Sequence, residues 1–260
     1  MPARAGTLLV ILWLLMGGWS SAQAGSLPET LDKVRGSVIA VGTVTPARSL
    51  KRKGPPVKIL ATGFVVGNGR QVITNMHVLP ETIDTDNGEV LVVFSGRGQA
   101  AKATSAKVRA TDAEHDLALL ELTGATLQPL VLASDDFVKE GSQVAFTGFP
   151  IGMVLGLYPV TSSAIISAVT PFILPTYSAS NLSAEHIKSL KNPFEVYQLD
   201  AIAYPGNSGS PVYGIDDGRV IGVVNSVFVK GAKEGLLKTP SGITYAIPVR
   251  YVKKLMRENP

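Results

Sequence analysis

No cysteine occurs anywhere in the 260 residues. That excludes a disulfide framework, a thiol nucleophile, a zinc–thiolate site and a lipid carried on an N-terminal cysteine. Stability must therefore come from the core. Charge is also sparse: 17% of residues are charged against 45% hydrophobic, the balance of a globular chain with a sizeable core. The formal net charge of +4 is too small to imply a nucleic-acid partner. Histidine is scarce too. His77, His115 and His186 are the whole set, in unrelated contexts and without a His-x-x-x-His pair, so neither a metal nor another cofactor is expected.

Long apolar runs are lacking except at the start, where Arg4 precedes the run Leu8–Trp19 and the small-residue site Ala22-Gln23-Ala24 follows. Residues 1–24 are therefore expected to be a signal peptide, cleaved after Ala24. The run is shorter than the roughly 20 residues that a spanning helix needs, which argues against an uncleaved anchor. With no later apolar stretch of that length, the mature chain is expected to be exported, periplasmic or secreted, without stable membrane insertion. The absence of disulfides suits a bacterial envelope better than an animal extracellular setting. The one basic cluster, Arg48, Lys51, Arg52, Lys53 and Lys58 around Gly54-Pro55-Pro56, reads as a solvated hairpin loop.

What the chain has in abundance is short β-branched runs separated by Gly, Pro, Asn and Asp. A first set comprises Val38–Val44, Lys58–Val66, Gln71–Thr74, Glu89–Phe94, Ala106–Ala110 and Leu117–Leu122. A second comprises Gln143–Phe149, Val160–Val169, Val196–Ala201, Pro211–Tyr213, Arg219–Val229 and Ile243–Pro248. Such spacing predicts antiparallel sheet closed into barrels or sandwiches, occurring twice. A polar connection around Gln128–Gly141 separates the sets, so the expected division is 25–135 and 136–260. Asn68-Gly69 between two apolar runs marks a hairpin. Helical signals are few: Pro28–Arg35, Ser183–Leu190, and Pro248–Arg257, whose Val249, Val252, Leu255 and Met256 would pack on a barrel.

Chemistry concentrates in Pro205-Gly206-Asn207-Ser208-Gly209-Ser210-Pro211-Val212, a serine in a glycine-rich turn that leads into an apolar strand. A nucleophilic serine must project into a cleft while nearby backbone N–H groups, here those of Gly206 and Ser208, converge on an oxyanion. The same string could be an ordinary Gly/Ser/Pro turn. A serine needs a general base. His77 follows the run Gln71–Thr74 where a strand ends, whereas His115 and His186 lie in polar contexts that read as solvated surface. Asp116 opens the run Asp116–Leu120 beside the core and can orient an imidazole, whereas Asp112, Glu114, Asp84 and Asp86 lie in polar loops.

With Val72–Val78, Asp116–Leu120, Pro205–Val212 and Val220–Asn225 in this order, the sequence resembles the trypsin-like serine proteases, in particular their HtrA-type and glutamyl-endopeptidase-type branches. Gly148-Phe149-Pro150-Ile151-Gly152 and Tyr245–Val249 are similar to HtrA-type segments. The resemblance spans residues 28–257. It implies an all-β fold of two six-stranded antiparallel barrels with a short C-terminal helix. His77 and Asp116 would come from the first barrel and Ser208 from the second, as a catalytic triad acting on polypeptides. Two departures stand out. Ser210 replaces the second glycine usual in HtrA-type enzymes, as it does in glutamyl endopeptidases. The chain is also expected to lack the PDZ domain that usually follows, so processive handling of unfolded proteins is not carried over. By the family's spacing, the base of the pocket for the residue preceding the cut falls near Ile202. Val224 stands where glutamyl endopeptidases carry a histidine. Both are apolar, which implies a preference for small or medium apolar side chains, with Asp200 as the one rival that would attract Arg or Lys. The competing function is an inert protease-fold binding module. An α/β-hydrolase is excluded by the order of the residues and the lack of a Gly-x-Ser-x-Gly elbow.

Overall fold

A computed structural model describes residues 26–46, 56–150, 156–172, 193–225 and 242–260. The signal-peptide residues, most of the basic cluster, the Ser183–Leu190 helix with His186, and the distal part of the Arg219–Val229 run lie outside the described residues.

Both runs of strands close into six-stranded antiparallel barrels. The first is built from β1 (Val38–Val44), β2 (Val57–Val66), β3 (Gln71–Asn75), β4 (Val90–Ser95), β5 (Lys102–Asp112) and β6 (Leu117–Leu122), in the order β1-β2-β3-β6-β5-β4. The second is built from β7 (Gln143–Gly148), β8 (Val160–Pro171), β9 (Glu195–Asp200), β10 (Pro211–Gly214), β11 (Val220–Asn225) and β12 (Ile243–Pro248), in the order β10-β11-β12-β9-β8-β7. Among the described residues two helices flank them, α1 (Leu27–Val34) and α2 (Val249–Glu258).

Alternation within the strands explains why they read as continuous apolar runs. Ile39, Val41, Val65, Val72, Leu120 and Leu122 join a cluster drawn from the first barrel alone. Their neighbours Val38, Ala40, Phe64, Ile73, Leu117 and Leu119 join another, shared with Ala145, Tyr213, Val223 and Ile247 of the second barrel. A strand with both faces buried needs no polar face, so period-2 alternation disappears from the sequence. The shared cluster also takes Val249, Val252 and Leu255 of α2. Each of these aliphatic side chains gains roughly 1.5–3 kcal/mol on burial, enough to seat the helix across both barrels.

The connection between the barrels is stitched to each in turn. Leu127 and Leu130 donate their N–H groups to Gly69 and Val65 of the first barrel (both 2.8 Å), and Ala133 donates to Val220 of the second (2.8 Å). α1 docks by the Thr30 hydroxyl, which donates to the Ile215 carbonyl at 2.7 Å.

One buried carboxylate braces the first barrel. Glu89 accepts from the Thr43 hydroxyl (2.7 Å) and the Asp84 N–H (3.0 Å), with the Lys58 ammonium at 3.5 Å. Lys58, counted with the basic cluster but also the first residue of the expected run Lys58–Val66, lies in β2 and has a partner. The Asp84 N–H first, then the Thr43 hydroxyl, hold the Glu89 carboxyl below the usual glutamate range despite burial. Because the folded-state pKa is the lower one, the stabilisation is present above the unfolded value and is lost as pH falls below roughly 4.3 and through the folded pKa. The urea midpoint of the native chain is therefore expected to drop more steeply on acidification than that of Glu89→Gln, and parallel curves would remove Glu89 from the account.

Candidate active site

The end of β3 and the start of β6 are neighbours, with Asn75 paired to Leu117. That register brings Asp116, one residue before Leu117, beside the single turn Met76–Val78 that carries His77. The Asp116 carbonyl accepts from the Met76 N–H (3.1 Å) and the Asn75 side-chain amide (3.0 Å). Asp116 has φ +51°, the sole positive φ at a non-glycine among the described residues. Aspartate tolerates this region better than most residues, and the carbonyl contacts hold it there. Its carboxylate accepts from the His77 N–H at 2.8 Å, lies 2.5 Å from His77 Nδ1, and accepts from Asn225 Nδ2 at 2.6 Å.

A carboxylate only accepts, so Nδ1 of His77 carries a proton, and in the neutral imidazole Nε2 presents its lone pair. Nε2 lies 3.1 Å from Ser208 Oγ. The His77 and Asp116 side chains are 22% and 17% exposed, so the dyad is sheltered yet reachable. Ser208 arrives from the second barrel on two consecutive turns. Asn207 N–H closes Tyr204–Asn207 on the Tyr204 carbonyl (2.9 Å), and Ser210 N–H closes Asn207–Ser210 on the Asn207 carbonyl (3.0 Å). Gly206 and Gly209 occupy the third positions with φ +100° and +83°, as type II turns require, and Pro205 suits the second position of the first turn. A Cβ at Gly209 would fall 2.1 Å from the Thr62 carbonyl oxygen, so no side chain fits there.

Of the two apolar residues expected at the specificity pocket, Ile202 is 37% exposed on the segment leading to Ser208. Val224 is fully buried, packed with Val144, Phe146, Ile166 and Leu199. Asp200 lines a cavity of about 460 Å³ with Leu27, Gln143, Ser163, Ile165 and Ile215, a set that includes neither the turn carrying Ser208 nor His77.

The structure corrects the reading of His115 as a solvated surface residue. It is 4% exposed, with its ring stacked on Tyr251 of α2 (centroids 3.9 Å apart) and edge-on to Phe194 (4.8 Å). Its Nδ1 pairs with Asp112 at 2.7 Å. Burial pushes the Asp112 carboxyl up, but the His115 hydrogen bonds and charge outweigh it and hold the carboxyl below its usual range. The polar string around His115 hid aromatic partners that arrive from far along the chain. Sequence reasoning also missed Asn225, whose signal was a polar side chain closing an otherwise apolar strand, and Thr62, which left no signal. Among the described residues no grouping of three or more His, Asp or Glu is arranged to hold a metal ion, and no helix is long and apolar enough to cross a membrane.

Paired six-stranded barrels with a Ser–His–Asp cluster at their junction define the class of the trypsin-like fold. Residues 61–223 match the family model described as trypsin-like peptidase domain, and the chain belongs to that family. Among curated proteins it is similar to the "Probable periplasmic serine endoprotease DegP-like" of Pseudomonas fulva, with 29% identity over 194 residues, 73% of this chain and 32% of that protein. The protein of the same description from Ectopseudomonas mendocina is 30% identical over 190 residues, again 73% of this chain and 33% of the relative. The chain thus spans about a third of the length of these relatives. Among solved structures, the Rv3671c protease from M. tuberculosis in its active form has a TM-score of 0.63 at 22% identity, covering 88% of this chain and 83% of that one. The HtrA-type protease AlgW with a tripeptide has a TM-score of 0.62 at 20% identity, covering 90% and 63%. At these identities the structural likeness concerns the fold.

Proposed function

We propose that the chain is an exported serine endopeptidase. The observation that carries this reading is the imidazole of His77 held between the Asp116 carboxylate and Ser208 Oγ, at 2.5 Å and 3.1 Å. Ser208 attacks the scissile carbonyl as His77 Nε2 takes its proton, and the tetrahedral oxyanion is met by the Gly206 and Ser208 N–H groups. His77, now an imidazolium stabilised by Asp116, returns the proton to the leaving amine. Water then repeats the sequence on the acyl-enzyme, with His77 again as base. Polypeptides are the substrates and the residues described need no cofactor for these steps. Residues 25–135 and 136–260 act as the two barrel domains, and residues 1–24 as the export signal. The relatives named periplasmic support that address.

Specificity follows from what the pocket segments offer. Exposed Ile202 supplies apolar surface, and Val224, buried in the core of the second barrel, adds no charge. Asp200 lies in a cavity whose lining excludes the nucleophile turn, which weakens it as a partner for Arg or Lys. Burying an unpaired charge costs several kcal/mol, whereas an aliphatic side chain gains roughly 1.5–3 kcal/mol. A peptide-library digest by the mature chain is expected to show cuts after Val, Ala, Ile or Leu. Cuts dominated by Arg, Lys or Glu would overturn the pocket, and no cutting by folded protein would overturn the endopeptidase reading itself.

A further inference from the structure

Thr62, in β2 of the first barrel, is fully buried against the nucleophile turn of the second. Its hydroxyl donates to the Gly206 carbonyl at 2.7 Å and accepts the Phe149 N–H at 2.8 Å. A hydroxyl has one proton, and since Phe149 N–H can only donate, that proton is committed to Gly206. The Thr62 N–H in turn donates to the Ser208 carbonyl at 3.0 Å. Resting on the reading of Ser208 as nucleophile, we propose that Thr62 is the positioning residue of the oxyanion-binding backbone, fixing the Gly206 and Ser208 amides from the opposite barrel.

Peptide units are planar, so holding a carbonyl fixes the plane to which it belongs. The Gly206–Asn207 unit is held at its oxygen by the Thr62 hydroxyl and at its N–H by the Tyr204 carbonyl. The Ser208–Gly209 unit is held at its oxygen by the Thr62 N–H and at its N–H by the Val224 carbonyl. Gly206 and Ser208 are thereby each anchored on the side away from the N–H that meets the oxyanion. Gly206 needs such an anchor because glycine has little conformational preference of its own. The contact also requires a bare backbone opposite. A Cβ at Gly148 would lie 2.1 Å from Ser210 Oγ, 2.8 Å from Asn207 Oδ1 and 2.9 Å from Thr62 Oγ1, so Gly148 leaves the space into which the Thr62 hydroxyl reaches. Thr62 thus ties the geometry of the oxyanion site to the seating of one barrel on the other.

The test compares Thr62→Val, which keeps the shape and removes the hydroxyl, with Thr62→Ser, which keeps the hydroxyl. A matched control is Leu255→Ala, which removes buried apolar contact in α2 away from the turn. For Thr62→Val, kcat on a peptide substrate is expected to fall by roughly 10- to 100-fold, less than the 10²–10³ lost with an oxyanion donor itself, while KM changes little. Affinity for a peptide boronate, whose adduct is tetrahedral, should fall in parallel. Thr62→Ser should retain both. Leu255→Ala should lower the urea midpoint while keeping kcat. A wild-type kcat in Thr62→Val, or an equal loss in Thr62→Ser, overturns the proposal, and the serine variant keeps the test decisive if the valine variant does not fold. Ser208→Ala run alongside separates the two levels. If it still cleaves, the nucleophile assignment fails; if it is inactive while Thr62→Val is unimpaired, the Thr62 inference alone fails.

Discussion

Ser208→Ala is expected to lower turnover by on the order of 10⁶ while the chain folds as before, since such a loss is typical when the nucleophile of a triad is removed. The hydroxyl projects to His77 Nε2 and takes no part in the apolar clusters. The backbone of the turn is held by other groups, among them Thr62 N–H on the Ser208 carbonyl and Ser210 N–H on the Asn207 carbonyl. His77→Ala should be nearly as severe, and the double variant little worse than either, because the members of a triad act as a unit. Peptide hydrolysis with a urea curve for each variant checks this. Full cleavage by folded Ser208→Ala would remove the nucleophile, and independent, multiplying losses would argue against one shared step. His115→Ala should instead act on stability, since that ring is stacked on Tyr251 and paired with Asp112. Collapse of catalysis there with His77→Ala tolerated would mean that the wrong histidine carries the proton.

The second large effect concerns Asp116→Asn, for which kcat is expected to fall by about 10⁴, the scale seen when a triad aspartate loses its charge. Two causes act together. An amide can donate to Nδ1, which favours the tautomer whose proton sits on Nε2 and faces Ser208. It also supplies no charge to stabilise the imidazolium. Asparagine accepts the left-handed backbone at φ +51° as readily as aspartate, so the variant should fold and the loss should lie in chemistry. Asn225 is the further participant, because its amide donates to Asp116 Oδ2 at 2.6 Å and would meet a second amide in the variant. A fall of less than tenfold in kcat would contradict the role of Asp116.

Much of this was legible in the chain because β1, β6 and β12 are short apolar runs whose bounds coincide with the strands they form. β5 was harder. It begins at Lys102 rather than Ala106 because its first half, Lys102-Ala103-Thr104-Ser105, is largely solvated, and only pairing with β4 makes it a strand. His77, Asp116 and Ser208, which the structure clusters, could be picked out because each stands close to where an apolar run begins or ends, which is where barrel strands deliver side chains to a junction. His115 was misread for a physical reason: its burial depends on Tyr251 and Phe194, and nothing in its own polar neighbourhood announces them. Thr62 was invisible in the same way. In sequence it is one more β-branched residue in a strand, and only closure of the two barrels brings its hydroxyl to Gly206.

The most direct test of the central claim is labelling of the purified mature chain with a fluorophosphonate probe, with the adduct located by peptide mass mapping. The account predicts one adduct, on Ser208, absent in Ser208→Ala and strongly slowed in His77→Ala. Folded protein that takes no label, or takes it on a different serine, would contradict it.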